Sequence, residues 1–253
     1  MSKSSRKPDV FGNRMKEYEN VNRTYLPKRM PVIIRIDGRA FHTFTRGLTK
    51  PFCDELIHAM WETTLYLCKN IQGCKLAYHQ SDEISLLLTN YEKINTESWF
   101  DNNIQKIVSN SASLATAKFN ELRNELFPNK DLALFDSRIF VMPKEEVVNY
   151  FLWRQQDATK NSISMVAQAN FPSKELQGLK GPQMQEKLFQ EKGINWNDID
   201  TWKKRGACVI KKEVAVGDAI RNRWEVDTEI PIFSQDRSYI EKLIYPERNV
   251  ISV

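Results

Sequence analysis

The order of hydrophobic segments in the first 142 residues constrains this chain most. Pro31-Val-Ile-Ile-Arg-Ile-Asp37 is a β-branched run that stops at Asp37-Gly38, the pattern of a buried strand. From Phe52 to Lys69, apolar residues recur three and four apart: Phe52, Leu56, Met60 and Thr64, flanked by Ile57, Trp61, Leu65 and Cys68. That spacing predicts one wide helical face. Residues 74–79 and 83–89 read as short strands joined at His79-Gln80-Ser81-Asp82. A second helix carries Ile104, Ile107, Val108, Ser111, Leu114, Ala115 and Phe119 inward, and Ser137 to Met142 reads as a further strand. Strand, helix, strand, strand, helix, strand is the order of the ferredoxin-like split βαβ fold, an α+β architecture.

This topology makes a prediction about chemistry. A crossover helix returns the second strand parallel to the first, and the hairpin then reverses the third. The end of the first strand and the hairpin turn therefore share one end of the sheet, with Asp37 at one and Asp82 at the other. If the first and third strands are neighbours, the two acids start from backbones about 5 Å apart. Paired acids there can share divalent cations, and two such metals stabilise the attacking and leaving oxygens of phosphoryl transfer.

Beyond residue 143 the pattern is more helical. Lys144 to Ala169 reads as one long helix or as two with a break near Thr159-Lys160-Asn161. Pro172–Pro182 is loop-like, and Gln183–Glu191 reads as a short helix. Ala207–Val216 and Trp224–Phe233 read as a hairpin across Gly217–Arg223. The expected division is a core over 1–142 with an N-terminal extension, and a helical and hairpin part over 143–253 packed on it.

Composition excludes several classes. Four scattered cysteines, with no CxxC pair among them and three histidines, speak against a disulfide framework or a zinc cluster. No run approaches the ~20 apolar residues of a membrane helix, and Met1 to Pro8 is polar and basic rather than a secretory leader. A soluble, cytoplasmic protein without a membrane partner is the expectation. The net charge of +5 permits nucleic acid as a partner without requiring it. No P-loop, dinucleotide fingerprint or Ser/His/Asp triad is present.

Local signals are read in two ways each. Arg35-Ile-Asp-Gly-Arg-Ala-Phe-His-Thr-Phe-Thr45 releases an acid, a glycine and a basic, aromatic, imidazole-bearing turn from a buried strand. Gly38 permits close backbone approach, exposed amides cradle phosphate, and Asp37 with the Gly38 carbonyl suits Mg²⁺. An ordinary Asp-Gly turn is the alternative. Ser81-Asp82-Glu83 is a second half-site or a solvated turn. Lys106 and Ser109, one helical turn apart, face phosphate or solvent. In Trp153-Arg154-Gln155-Gln156-Asp157 either the polar groups act or a helix packs its Trp into the core. Lys203-Lys204-Arg205 grips an RNA backbone or is a solvated charge run.

These motifs, with Gln80-Ser-Asp-Glu83, Phe135-Asp-Ser-Arg138, Tyr150-Phe-Leu-Trp-Arg-Gln-Gln-Asp157, Gly193-Ile-Asn-Trp-Asn197 and Trp202-Lys-Lys-Arg-Gly206, resemble the tRNA(His) guanylyltransferase superfamily from about residue 10 to 233. The resemblance implies a polymerase-like palm that adds nucleotides to the 5′ end of tRNA. It implies two Mg²⁺ on Asp37, the Gly38 carbonyl and Asp82, with Glu83 as a further acid near the metals. It also implies ATP and GTP or other triphosphates as substrates, bound by Asp37, Gly38, Arg39, Ala40, Phe41, His42, Ser81, Asp82, Lys106 and Ser109. Arg154, Asn161, Lys203, Lys204 and Arg205 would contact tRNA, and a tetramer is the implied assembly.

Two departures are informative. Where eukaryotic members carry His-Ile-Asn-Asn-Leu-Tyr, this chain has Thr159-Lys-Asn-Ser-Ile-Ser164, keeping only Asn161. A helical Arg that precedes the Lys by three residues in the family is Asn103 here. Both resemble the guanylyltransferase-like branch, for which templated 5′-end repair is expected. Alternatives are a single untemplated guanylate on tRNA(His), an idle RNA-binding palm, or a nucleotide cyclase.

Overall fold

The computed structural model describes residues 9–216 and 219–245. After the helix α1 (Val10–Asn20), its first turn capped by Asp9, come β1 (Val32–Gly38), α2 (Phe41–Phe44), α3 (Asp54–Asn70), β2 (Cys74–Gln80), β3 (Glu83–Leu88), α4 (Ile104–Leu126) and β4 (Phe135–Val141). The second half holds α5 (Lys144–Asn170), α6 (Ser173–Leu176), α7 (Gly181–Lys192), α8 (Thr201–Arg205), β5 (Ala207–Val216), β6 (Ala219–Asp227) and α9 (Ser238–Ile244).

The strands form one six-stranded sheet in the order β4-β1-β3-β2-β5-β6, every neighbouring pair antiparallel. The inferred adjacency of β1 and β3 is present, with Asp37 opposite Glu83 and Ile36 opposite Ile84. Strand alternation then sorts the side chains onto two faces. Val32, Ile34, Ile36, Ile84 and Leu86 pack with Met60 and Leu67 of α3 and Ile107 and Phe119 of α4. Ile33, Leu76, Tyr78 and Leu87 pack with Val147 and Phe151 of α5 and Ile240 and Ile244 of α9. Because both faces are covered, β1 and β3 read as nearly continuous apolar runs rather than alternating ones. Each fully buried Ile or Leu contributes about 2 kcal/mol.

The last strand departs from expectation, and two further points take definite form. Of the two alternatives for Lys144 to Ala169, the single helix holds: α5 is unbroken, and at the suspected break Thr159 Oγ1 donates to the Gln155 carbonyl at 2.9 Å. The last strand begins earlier than Trp224, since Arg221 and Arg223 already pair with Val214 and Lys212. It also ends at Asp227, and Ile230 and Phe233 leave the ladder to enter the core under α5 and α9. Of the expected turn, residues 217–218 lie outside the described residues. Finally, β5 pairs with β2, so the halves 1–142 and 143–253 share a single sheet.

Candidate active site

Asp37 is the penultimate residue of β1, and Asp82 is the second residue of the two-residue connection between β2 and β3. The backbone ties them together: the Gly38 N–H donates to the Asp82 carbonyl at 3.1 Å. The turn itself is forced. Ser81 has φ +53°, a left-handed conformation that costs a non-glycine residue roughly 1–2 kcal/mol. Its hydroxyl donates to Asp82 Oδ1 at 3.1 Å. Burial first, then the negative charge of Asp37, pushes the Asp82 carboxyl above its ordinary range. Among the described residues the Asp37 carboxylate has no hydrogen-bond or ion-pair partner.

Two converging acids with spare oxygens and mutual repulsion fit a divalent cation. Among the described residues no third His, Cys, Asp or Glu completes a protein-only cage. That suits Mg²⁺, which takes one or two carboxylates and completes its shell with water and substrate phosphate.

Glu83, expected as a further acid near the metals, does lie opposite Asp37, but its carboxylate is engaged by cations. Its side chain is 5% exposed and is held by Arg154, Nε to Oε1 and Nη2 to Oε2, both at 2.7 Å. Arg35 Nη2 adds a third contact at 3.1 Å, and Ser85 Oγ, itself 2.8 Å from the Tyr150 hydroxyl, donates to Oε1. With both oxygens engaged, Glu83 anchors α5 to the sheet beside Asp37, on the same face.

The same geometry corrects the reading of Arg154. It is buried, reaches Asp157 Oδ2 at 3.0 Å as well, and presents no free guanidinium to RNA. The Trp of that segment is the exposed member: Trp153 is 51% exposed, with the Arg154 guanidinium 4.4 Å from its ring.

A cavity of about 550 Å³ opens beside Gly38 and Asp82. Its walls include His42, Thr45, Phe52, Leu56 and Ile57 on one side, Ala158, Asn161, Ser162 and Met165 of α5 on the other, and His79, Gln80, Trp202 and Lys203 at the sheet edge. The volume falls in the range of small-ligand pockets. Gly38 has no room for a side chain, since a Cβ would lie 2.3 Å from the Phe41 ring. Ala40, at φ +54°, turns the chain so that Phe41 points inward. Phe41 packs against Phe44, Phe119 and Phe135 at centroid distances of 5.1–5.6 Å, so most of its ring serves the core. Arg39 is exposed, with its backbone N–H on the Leu134 carbonyl.

Other expected contacts lie elsewhere. Lys106 and Ser109 occupy the exposed first turns of α4 and do not line the cavity. Asn103 caps α4, its side chain accepting from the Lys106 N–H at 2.9 Å. Of the basic run, Lys203 lines the cavity and pairs with Asp54 at 2.9 Å. Lys204 is buried on the Asn197 carbonyl, and burial lowers its pKa. Arg205 is half-buried, and its carbonyl accepts from the Tyr78 hydroxyl at 2.7 Å. Thr45, Gln80 and Trp202 also line the cavity; the motifs contain them, but no role was assigned to them, and His79 entered only as part of the strand junction.

Residues 12–143 match the family described as Thg1, tRNAHis guanylyltransferase. The chain belongs to the tRNA(His) guanylyltransferase family. Its members are nucleotidyltransferases, and so is this protein. The structure is similar to a bacterial tRNA(His) guanylyltransferase (Thg1)-like protein in complex with ATP, at 60% identity and TM-score 0.88, covering 93% of this chain and 99% of that one. It is also similar to a bacterial Thg1-like protein in complex with GTP, at 56% identity and TM-score 0.84, covering 94% and 100%. A probable tRNA(His) guanylyltransferase of Dictyostelium discoideum is 30% identical over 72% of this chain and 76% of its own.

The family's departures can now be located. Thr159 and Ser164, standing where eukaryotic members have His and Tyr, bond back to the Gln155 and Lys160 carbonyls. Asn161, the retained residue, is exposed on the cavity wall.

Proposed function

We propose that this protein adds nucleotides to tRNA 5′ ends in the 3′–5′ direction, choosing each by pairing with the opposite strand. The observation that carries the chemistry is the pair Asp37 and Asp82, neighbouring carboxylates of which the second lines a cavity of small-ligand size. In the first step an oxygen of the tRNA 5′-monophosphate attacks the α-phosphorus of ATP, and pyrophosphate leaves. In the second, the 3′-hydroxyl of the incoming nucleotide attacks the activated 5′-phosphorus, and AMP leaves. Asp37, Asp82 and the Gly38 carbonyl would hold two Mg²⁺. When bound, these ions neutralise charge on the transferring phosphoryl group and lower the pKa of the attacking hydroxyl.

This chain's own residues do the positioning. The rigid turn at Ser81 and the Gly38–Asp82 backbone bond hold the carboxylates in place before substrate arrives, so little reorganisation accompanies the reaction. His42, exposed at the cavity rim, is free to donate to triphosphate oxygens, and Ser81 beside it would do so by turning its hydroxyl away from Asp82. The apolar wall of Phe52, Leu56 and Ile57 accepts a base and excludes water from it.

Templating is supported by the helix wall. Positions 159 and 164 carry Thr and Ser in place of an imidazole and a phenol, and both hydroxyls are bonded to their own helix, which leaves Asn161 as the retained residue on the cavity wall. Nucleotide choice then passes to the opposing RNA base. The test is single-turnover extension of a tRNA lacking its first 5′ nucleotide, with C or A at the opposing position. Changing that base from C to A should switch the preferred addition from G to U by at least about tenfold, or roughly 1.4 kcal/mol in transition-state binding. Persistent G addition opposite A would overturn templating and favour untemplated addition to tRNA(His).

A further inference from the structure

The mechanism needs Asp82 at a fixed place, yet Asp82 sits on a two-residue turn whose first residue is in an unfavourable conformation. Something must hold that turn. The hydroxyl of Ser81 reaches only its neighbour's carboxylate, and the Gly38 N–H holds only the far side. The near side is held by His79. Its ring is 2% exposed, and its Nε2 lies 2.8 Å from the Ser81 carbonyl oxygen. A carbonyl only accepts, so Nε2 carries the proton and donates.

His79 is itself braced from the C-terminal half. It pairs with Ala207 across the β2–β5 ladder. The chain enters β5 through Gly206, which lies so close to β2 that a Cβ there would be 2.5 Å from the His79 carbonyl and 2.8 Å from the Tyr78 hydroxyl. That hydroxyl in turn donates to the Arg205 carbonyl at 2.7 Å. The segment after α8 thus backs the residue that clamps the turn.

We propose that His79 is a positioning residue for the metal-binding turn: its Nε2–H on the Ser81 carbonyl, backed by Gly206, sets the Asp82 carboxylate. The inference rests on Asp82 being a metal ligand. His79→Phe keeps a buried ring but removes the donor, whereas His79→Gln places an amide N–H near the same point. The first readout is Mn²⁺ binding, followed by electron paramagnetic resonance, to enzyme mixed with ATP in the absence of tRNA. The second is the Mg²⁺ concentration giving half-maximal nucleotide addition.

His79→Phe should weaken Mn²⁺ binding and raise the Mg²⁺ requirement at least fivefold, with KM for tRNA unchanged. His79→Gln should recover most of both, and Gly206→Ala should shift both in the same direction as His79→Phe. A His79→Phe protein that melts lower but binds Mn²⁺ as the parent does would overturn the proposal, leaving His79 a packing residue. If His79→Phe fails to fold, His79→Asn, too short to reach Ser81, takes its place with the same expected shifts. Asp82→Asn separates the two ideas: unchanged Mn²⁺ binding there sinks the metal assignment itself, whatever the His79 variants do.

Discussion

Replacing Arg154 with Met tests the assignment of Glu83 and Arg154 to an internal anchor. The substitution keeps the length and apolar stem of the side chain but deletes two 2.7 Å bonds to Glu83 and one of 3.0 Å to Asp157. The side chains of Arg154 and Glu83 are each 5% exposed, so the orphaned carboxylate stays largely out of water. Breaking a buried pair by removing one partner costs about 3–5 kcal/mol. Arg35 remains at 3.1 Å with its side chain 20% exposed, which places the cost near the lower end, at about 3 kcal/mol. For a chain of this size each kcal/mol moves Tm by about 2–4 °C, so the expected fall is roughly 6–12 °C. Differential scanning calorimetry at neutral pH measures it. The double variant Glu83→Gln with Arg154→Met should recover a large part, because the uncompensated charge is gone. An Arg154→Met protein that melts within about 1 °C of the parent and binds tRNA more weakly would refute the anchor. It would restore the RNA contact that the sequence suggested.

Asp37→Ala and Asp82→Ala should each lower nucleotide addition at least about a thousandfold while leaving Tm close to the parent, since each removes metal-assisted charge stabilisation worth several kcal/mol. Rapid-quench assays in Mg²⁺ check this, and near-normal addition by either variant contradicts the two-carboxylate site. Lys203 and Lys204 should separate: Lys203→Gln weakens tRNA binding and flattens its salt dependence, whereas Lys204→Gln, which empties a buried site on the Asn197 carbonyl, chiefly lowers Tm. Equal salt slopes for Lys203→Gln and the parent would make Lys203 a structural partner of Asp54. Burial depresses the His79 pKa from 6.5 to about 4, so its neutral form contributes stability that is complete above pH 6.5 and lost as pH falls toward 4. The loss reaches about 3 kcal/mol, and His79→Gln should abolish that part of the acid destabilisation in urea titrations. An unchanged pH profile would show that the imidazole takes up its proton without cost.

The palm topology was legible because its signals are periodic. A β-branched run, two helical faces and a hairpin leave few ways to connect, and the sheet sets β1 beside β3 as that reasoning supposed. The roles of charged residues were less legible, because a sequence does not state burial. Trp153 and Arg154 show the difficulty: the alternatives were acting polar groups or a Trp packed into the core, and the structure buries Arg154 and exposes Trp153. Arg154 lies one helical turn from Phe151 and Ala158, both buried, so its place on the inward stripe was readable from spacing of three and four. The expectation followed residue type instead. Lys204 misleads in the same way within a three-residue basic run. The extent of β6 was misjudged because Arg221, Asn222 and Arg223 lack strand-like apolar alternation. They pair all the same, on the part of the hairpin that extends beyond the helices.

A boundary at residue 142 follows the family match, which ends at residue 143, but the site does not respect it. The carboxylates come from the first half, whereas much of the cavity wall is α5 and the anchor beside Asp37 is Arg154. The clamp on the Asp82 turn is backed by Gly206. Removing residues 143–253 would therefore do more than delete an accessory part. It would strip the α5 face of the sheet, expose Ile33, Leu76, Tyr78 and Leu87, and leave Glu83 with Arg35 as its one cation. Exposing four large side chains costs about 6–12 kcal/mol at about 1.5–3 kcal/mol each, comparable to the whole stability of a domain. The first half carries the two carboxylates proposed to hold the metals, but its sheet is covered on both faces only when the second half is folded against it.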